Sequence, residues 1–250
     1  MSQQTIAVRP PSAASRLVWA LVSTMLLAVF IGWRMGWAYA LAGVFGVIVH
    51  EYGHVLAINA LGCGPGRMKI IPFVGGAAIP AIAPPTEFKG VLIALAGPAF
   101  GLVAMAPFIL AYAVVGDPMW LGAAFFIAFI NLVNLAPAPP LDGSKAFGPV
   151  LARIHPWVER GALVAVGAAV VLWAVSRGSF IFAIFLALGI RGSLRRGALR
   201  PWALRLTDGQ WLASFALYVG ALVLCAASAW LTLGGRLGFG LETLMRLIGR

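Results

Sequence analysis

Charge is what this chain has least of. Only 10% of its 250 residues are Asp, Glu, Lys or Arg, against about 25% in an ordinary soluble domain. With 62% hydrophobic residues and a mean hydropathy of +0.97, the apolar surface needs a bilayer rather than water as its solvent. No stretch is polar and long enough to form a separate soluble domain. Cysteine is also scarce. Cys63 and Cys225 are the two present, they are far apart, and no C-x-x-C pattern exists, so a disulfide framework is unsupported. Both read as small apolar residues. The three histidines are too few for a histidine-rich di-iron membrane enzyme.

The acidic side is thin as well: seven Asp and Glu against 18 Lys and Arg, a formal net charge of +11. Such a balance can mark nucleic-acid binding. Here the basic residues cluster in short loops between apolar runs, which is the topology pattern of membrane proteins, so no nucleic-acid partner is expected.

The expected fold is an all-α polytopic membrane protein of six to seven transmembrane helices, forming one integral membrane domain over 1–250. An N-terminal extra helix covers 17–33. It is read as an uncleaved span, the alternative being a signal peptide cut near Ala38-Tyr39-Ala40. Further spans are expected at about Trp37–Leu61, Gly90–Val115 (interrupted at Gly97-Pro98), Met119–Ala136, Gly161–Ser176, Ser179–Ile190 and Trp211–Leu233. The sixth is marginal in length. Met1–Ser15 reads as a polar tail, and Leu241–Arg250 as a segment on the membrane surface. Between Gly62 and Lys89 the chain is too rich in Gly and Pro for a spanning helix. Ile70–Ile82 is nonetheless almost wholly apolar, which suits a short re-entrant segment covered by protein.

With the N-terminus cytoplasmic and all seven segments crossing, Arg34, Arg177, Arg236, Arg246 and Arg250 lie outside, and every other Lys and Arg lies inside. That asymmetry supports the orientation. It matches a multi-pass protein of a bacterial-type plasma membrane.

Within the second span stands His50-Glu51-Tyr52-Gly53-His54, an H-E-x-x-H motif. Residues four apart share a helix face, with Cβ atoms about 5–6 Å apart. Two imidazoles at that spacing can hold one Zn²⁺, and the carboxylate between them can serve as general base. Ionisable groups buried in a membrane helix are costly without a function. The bland reading is a structural metal or a buried His–Glu network. On the expected topology His50 lies about 20 Å along its helix from the outer end, in the inner half of the bilayer. Asp142 emerges from the fourth span on that same side. It is therefore available as a third ligand; the alternative is a plain Pro-Leu-Asp-Gly turn in which Asp bonds its own backbone. Asn134, near the end of the fourth span, is either an interhelical amide or a substrate-facing donor. His155 reads as an exposed loop histidine.

The pairing of His50–His54 with Asn134-Leu-Ala-Pro137-Ala-Pro-Pro-Leu141-Asp142-Gly143 resembles the site-2 protease family of intramembrane zinc metalloproteases. Both motifs, H-E-x-x-H and N-x-x-P-x-x-x-L-D-G, are similar, as is their placement on the first and third helices of a three-helix core. The match covers about 37–150, with C-terminal helices in 157–250 beyond it. The resemblance implies zinc ligands His50, His54 and Asp142, a catalytic Glu51, and an active-site frame that includes Asn134 and Pro137. Phe73–Ala78, with Gly75 and Gly76, resembles the segment that borders the substrate cleft. Ala96-Gly97-Pro98 fits the middle core helix, although Gly101 stands where many members have Asn. The short turn Gly116–Pro118 leaves no room for a PDZ domain there, and no CBS-type domain is expected, so a compact member is implied. The implied partners are transmembrane protein substrates within the lipid bilayer. The rival is a non-proteolytic transporter or scaffold with a structural metal site. A transport route would show several ionisable groups along it, whereas this chain has one cluster.

Overall fold

The computed structural model describes residues 13–71, 75–195, 200 and 203–236. The expected polar tail up to residue 12, the Phe73-Val74 part of the re-entrant segment, Arg196 of the basic loop and the surface segment Leu241–Arg250 lie outside them. The fold is mostly helical: α1 (Ala13–Met35), α2 (Trp37–Ala60), α3 (Glu87–Val103), α4 (Ala106–Val115), α5 (Met119–Asn134), α6 (Asp142–Ile154), α7 (Pro156–Ser176), α8 (Phe180–Leu194) and α9 (Asp208–Arg236). A two-stranded antiparallel hairpin, β1 (Arg67–Ile71) and β2 (Gly75–Ile79), pairs Arg67 with Ile79 and Ile71 with Gly75.

Local chemistry sets the boundaries. Gly36 joins α1 to α2 at φ +106°, a conformation costly for a residue with a Cβ. Thr86 caps α3, its hydroxyl oxygen accepting from the Lys89 N–H at 3.2 Å, and Glu87 sits in the positively polarised first turn. Gly116 closes α4 in the left-handed conformation, and the Asp117 carboxylate then accepts from the Met119 N–H at 2.8 Å. Pro137, Pro139 and Pro140 prevent α5 from continuing.

Two expectations are corrected. The third apolar run is not interrupted at Gly97-Pro98: α3 passes through Pro98 and the break falls at Ala104–Met105. Pro107 opens the next helix, where a missing N–H costs nothing. The Pro-Leu-Asp-Gly stretch is not a loop either, since Asp142 is the first residue of α6. This helix escaped notice because it lies partly along an apolar–basic stretch with a proline at 149, and it is too short to read as a span.

Among the described residues, four stretches are long and apolar enough to cross a membrane: Trp37–Ala60, Glu87–Val115, Pro156–Ser176 and Asp208–Gly234. The 16 residues of α5 and 15 of α8 fall below the ~20 needed for a ~30 Å hydrocarbon core. Large apolar side chains such as Trp33, Leu172, Ile184 and Val223 stay exposed on α1, α7, α8 and α9, as expected of surfaces facing lipid.

The helices α2, α3 and α5 pack on one another, and the hairpin lies against α2. Small residues allow the close approach. A Cβ on Gly53 of α2 would sit 2.7 Å from the Ala96 carbonyl oxygen of α3, and one on Gly46 would sit 3.1 Å from Ile127 of α5. Ala38, Ala42, Ala123, Ala124 and Ile127 fill the α2–α5 seam. Outside this core, α9 packs against α3, α5 and α6, and α8 packs against α7.

On one side of the fold the segment before α9 is tied down. Thr86 and Leu204 form a parallel bridge, with the Glu87 N–H donating to Leu204 and the Leu204 N–H to Pro85, both at 2.9 Å. Arg200 donates to Glu87 at 3.1 Å and to Glu159 at 2.6 Å, and the second Glu87 oxygen accepts from the Leu206 N–H at 3.2 Å.

Candidate metal centre

The i, i+4 geometry of α2 places His50 and His54 on its buried face, 3% and 5% exposed. Their Nε2 atoms are 3.1 Å apart. From across the core, Asp142 at the start of α6 brings Oδ2 to 3.0 Å from each Nε2. The three sequence-predicted ligands therefore converge, although Asp142 lies 92 residues from His50 in the chain.

The hydrogen bonds behind the rings identify what the triangle is. The Nδ1–H of His54 donates to the Ile93 carbonyl of α3 at 2.7 Å. The Nδ1–H of His50 donates to Asn131 Oδ1 of α5 at 2.8 Å, and Asn131 is oriented by donating its own amide to the Ile127 carbonyl at 2.8 Å. Each neutral imidazole has one N–H, and both have spent it away from the centre. Two Nε2 lone pairs and a carboxylate oxygen then point at one another with no hydrogen between them. Such an arrangement is repulsive unless a cation occupies it. The donor set, two imidazoles and one carboxylate, suits a catalytic zinc site with a fourth position open. The 3.0–3.1 Å spacings are slightly tighter than the ~3.3 Å edge of a tetrahedron with ~2 Å bonds.

Burial alone would push the Asp142 carboxyl up. The Lys145 ammonium beside it is the largest opposing cause, and the carboxyl is held well below the usual carboxylate range, so it stands as an anion. Its second oxygen, Oδ1, accepts from Lys145 Nζ at 3.0 Å. The Asp142 side chain does not fold back on its own backbone as a plain turn would have it.

Three glycines make the room. A Cβ on Gly97 would overlap His54 Nε2 and lie 2.7 Å from His50 Nε2. One on Gly143 would run into the Leu135 carbonyl oxygen, which limits how near α6 comes to the end of α5. One on Gly76 would lie 2.9 Å from Glu51 Cδ. Gly76 thus lies against Glu51, while Gly75 holds its place in the ladder opposite Ile71. Glu51 is 7% exposed and its Oε2 has no hydrogen-bond partner among the described residues. Burying a carboxylate oxygen unpartnered is costly.

A cavity of about 760 Å³ opens over His50, Glu51, His54 and Asp142. Its apolar wall includes Phe126, Phe129 and Trp173; Thr86, Glu87, Lys145 and Arg200 line its polar part. Asn134 also lines it, half-buried, and Pro137 shapes the turn before α6. The amide that holds a ligand is Asn131, one turn earlier, which sequence reasoning missed. The trace was there: a second Asn inside an apolar span, three residues before the first, on the same face. Gly101 now has a physical account, since a Cβ there would overlap the Asn131 amide. His155 is exposed, as expected, and its Nδ1 accepts from the Trp157 N–H at 3.2 Å to cap α7.

The fold and site define a helical, membrane-associated chain with a buried His–His–Asp group able to hold a metal ion. Comparison with protein-family models, with curated proteins and with solved structures finds no match.

Proposed function

We propose that the chain is an intramembrane zinc metalloprotease of the site-2 type, cleaving transmembrane segments of other membrane proteins. One observation carries this reading: three lone pairs converge beside a buried carboxylate that has an oxygen to spare. His50, His54 and Asp142 would hold a zinc ion, which would supply Lewis acidity toward a water and a substrate carbonyl. Asn131 and the Ile93 carbonyl keep both imidazoles in the tautomer that presents Nε2. Glu51 accepts a proton from the attacking water and delivers it to the leaving amine. The aromatic wall of the cavity suits an apolar substrate segment, and its polar part, at Thr86, Glu87 and Lys145, suits water entry from the cytoplasmic face. A substrate segment must unwind to expose its peptide bond. Gly76–Ala78 of β2 line the cavity, and their backbone offers such a segment strand pairing. The proposed setting is a multi-pass protein of a bacterial-type plasma membrane with its N-terminus in the cytoplasm.

A transporter or scaffold with a structural metal has no use for Glu51. Co-expression with candidate single-span substrates tests the point. Glu51→Gln is expected to retain zinc and abolish cleavage. Wild-type cleavage by that variant, or no metal in the purified wild type, sinks the reading.

A further inference from the structure

Asp142 divides its two oxygens between different partners. Oδ2 faces both imidazoles at 3.0 Å, and Oδ1 accepts from Lys145 Nζ at 3.0 Å. Lys145 sits one turn along α6 from Asp142 and lines the cavity. An i, i+3 ion pair on an exposed helix contributes little. This one differs, because the lysine side chain is 62% exposed and the carboxylate only 8%. Among the described residues, no other group donates to Oδ1.

A carboxylate with a free second oxygen can bind an ion through one oxygen or through both. Binding through both would add a fifth donor to two imidazoles, one carboxylate oxygen and water, and would crowd the place that water needs. The alternative, leaving Oδ1 buried and unsatisfied, carries its own cost. We infer that Lys145 is a positioning residue that holds Asp142 to one-oxygen ligation and thereby keeps a coordination position open for water. The inference rests on the reading of His50, His54 and Asp142 as metal ligands, but it does not depend on which substrate is cut. Lys145 acts here as a charged donor fixed by its spacing from Asp142, so arginine can replace it and an uncharged side chain cannot.

The test uses the purified full-length protein in detergent, stripped of metal and titrated with Co²⁺, whose visible bands report coordination number. Lys145→Met and Lys145→Gln are expected to bind Co²⁺ about 10–100-fold more weakly. Their bands should weaken as the site goes from four to five ligands, while Lys145→Arg keeps the wild-type affinity and spectrum. If Lys145→Met elutes as aggregate, Lys145→Gln decides alone. Wild-type affinity in the uncharged variants overturns the inference. So do weakened binding with unaltered bands and a Lys145→Arg variant that behaves like Lys145→Met. A wild type that binds no more Co²⁺ than His50→Ala removes the metal centre itself, and this inference with it.

Discussion

At the scale of the residue, the centre is built as much by what surrounds the ligands as by the ligands. Asn131 touches no substrate in this account, yet it decides which nitrogen of His50 carries the proton. Asn131→Ala leaves the Nδ1–H without its acceptor and the ring free to turn. Metal affinity is expected to fall about 10–100-fold with little change in folding, which a competitive zinc titration against a chromophoric chelator would measure. Wild-type affinity would show that the ring is held by packing alone. Gly97 makes a harsher demand. Gly97→Ala puts a methyl group where His54 Nε2 and His50 Nε2 now meet. It should abolish stoichiometric metal binding and destabilise the helix pair by about 1–3 kcal/mol, read as a lower melting temperature. Retention of one zinc per chain in that variant would contradict the geometry.

At the scale of the element, the hairpin and α2 share a boundary that the Glu51 carboxylate occupies. Gly76→Val forces β2 away from Glu51 or Glu51 off its rotamer. The expected result is loss of cleavage with zinc retained, the same split as for Glu51→Gln. Loss of zinc as well would mean that the hairpin supports the ligands too. Much of this level was readable from the chain. His50 and His54 needed only the helical period, whereas Asp142 stood open between a ligand and a plain turn until the resemblance favoured the ligand. The positions of β1 and β2 were legible as a segment unfit for a helix, but not as a hairpin. Asn131 left only a trace in the sequence, because its partner His50 lies 81 residues away in the chain. Local pattern carries no record of such pairings. The helix through Pro98 went the other way: the rule that proline breaks helices lost to the close packing of α3 against α2 and α9.

At the scale of the whole molecule, the two carboxylates of Glu87 and Glu159 are 7% and 4% exposed and share Arg200. Gly148 of α6 leaves the hollow that they need, since a Cβ there would lie 2.6 Å from Glu159 Oε1. Removing one partner of a buried pair typically costs about 3–5 kcal/mol, because a charge is left uncompensated. Arg200→Ala should therefore lower the thermal midpoint in detergent, and Glu159→Gln in that background should recover part of the loss. A midpoint equal to wild type in the single variant would show the pairing to be idle. The contacts also have an order in time. Glu87 and Glu159 are synthesised 113 and 41 residues before Arg200, and the amide of Leu206 reaches Glu87 later still. A nascent chain halted before that arginine already holds His50, Glu51, His54 and Asp142, but two acids near its cleft stay uncompensated. Glu87 and Glu159 therefore gain their common cation only once the last fifth of the 250 residues is being made.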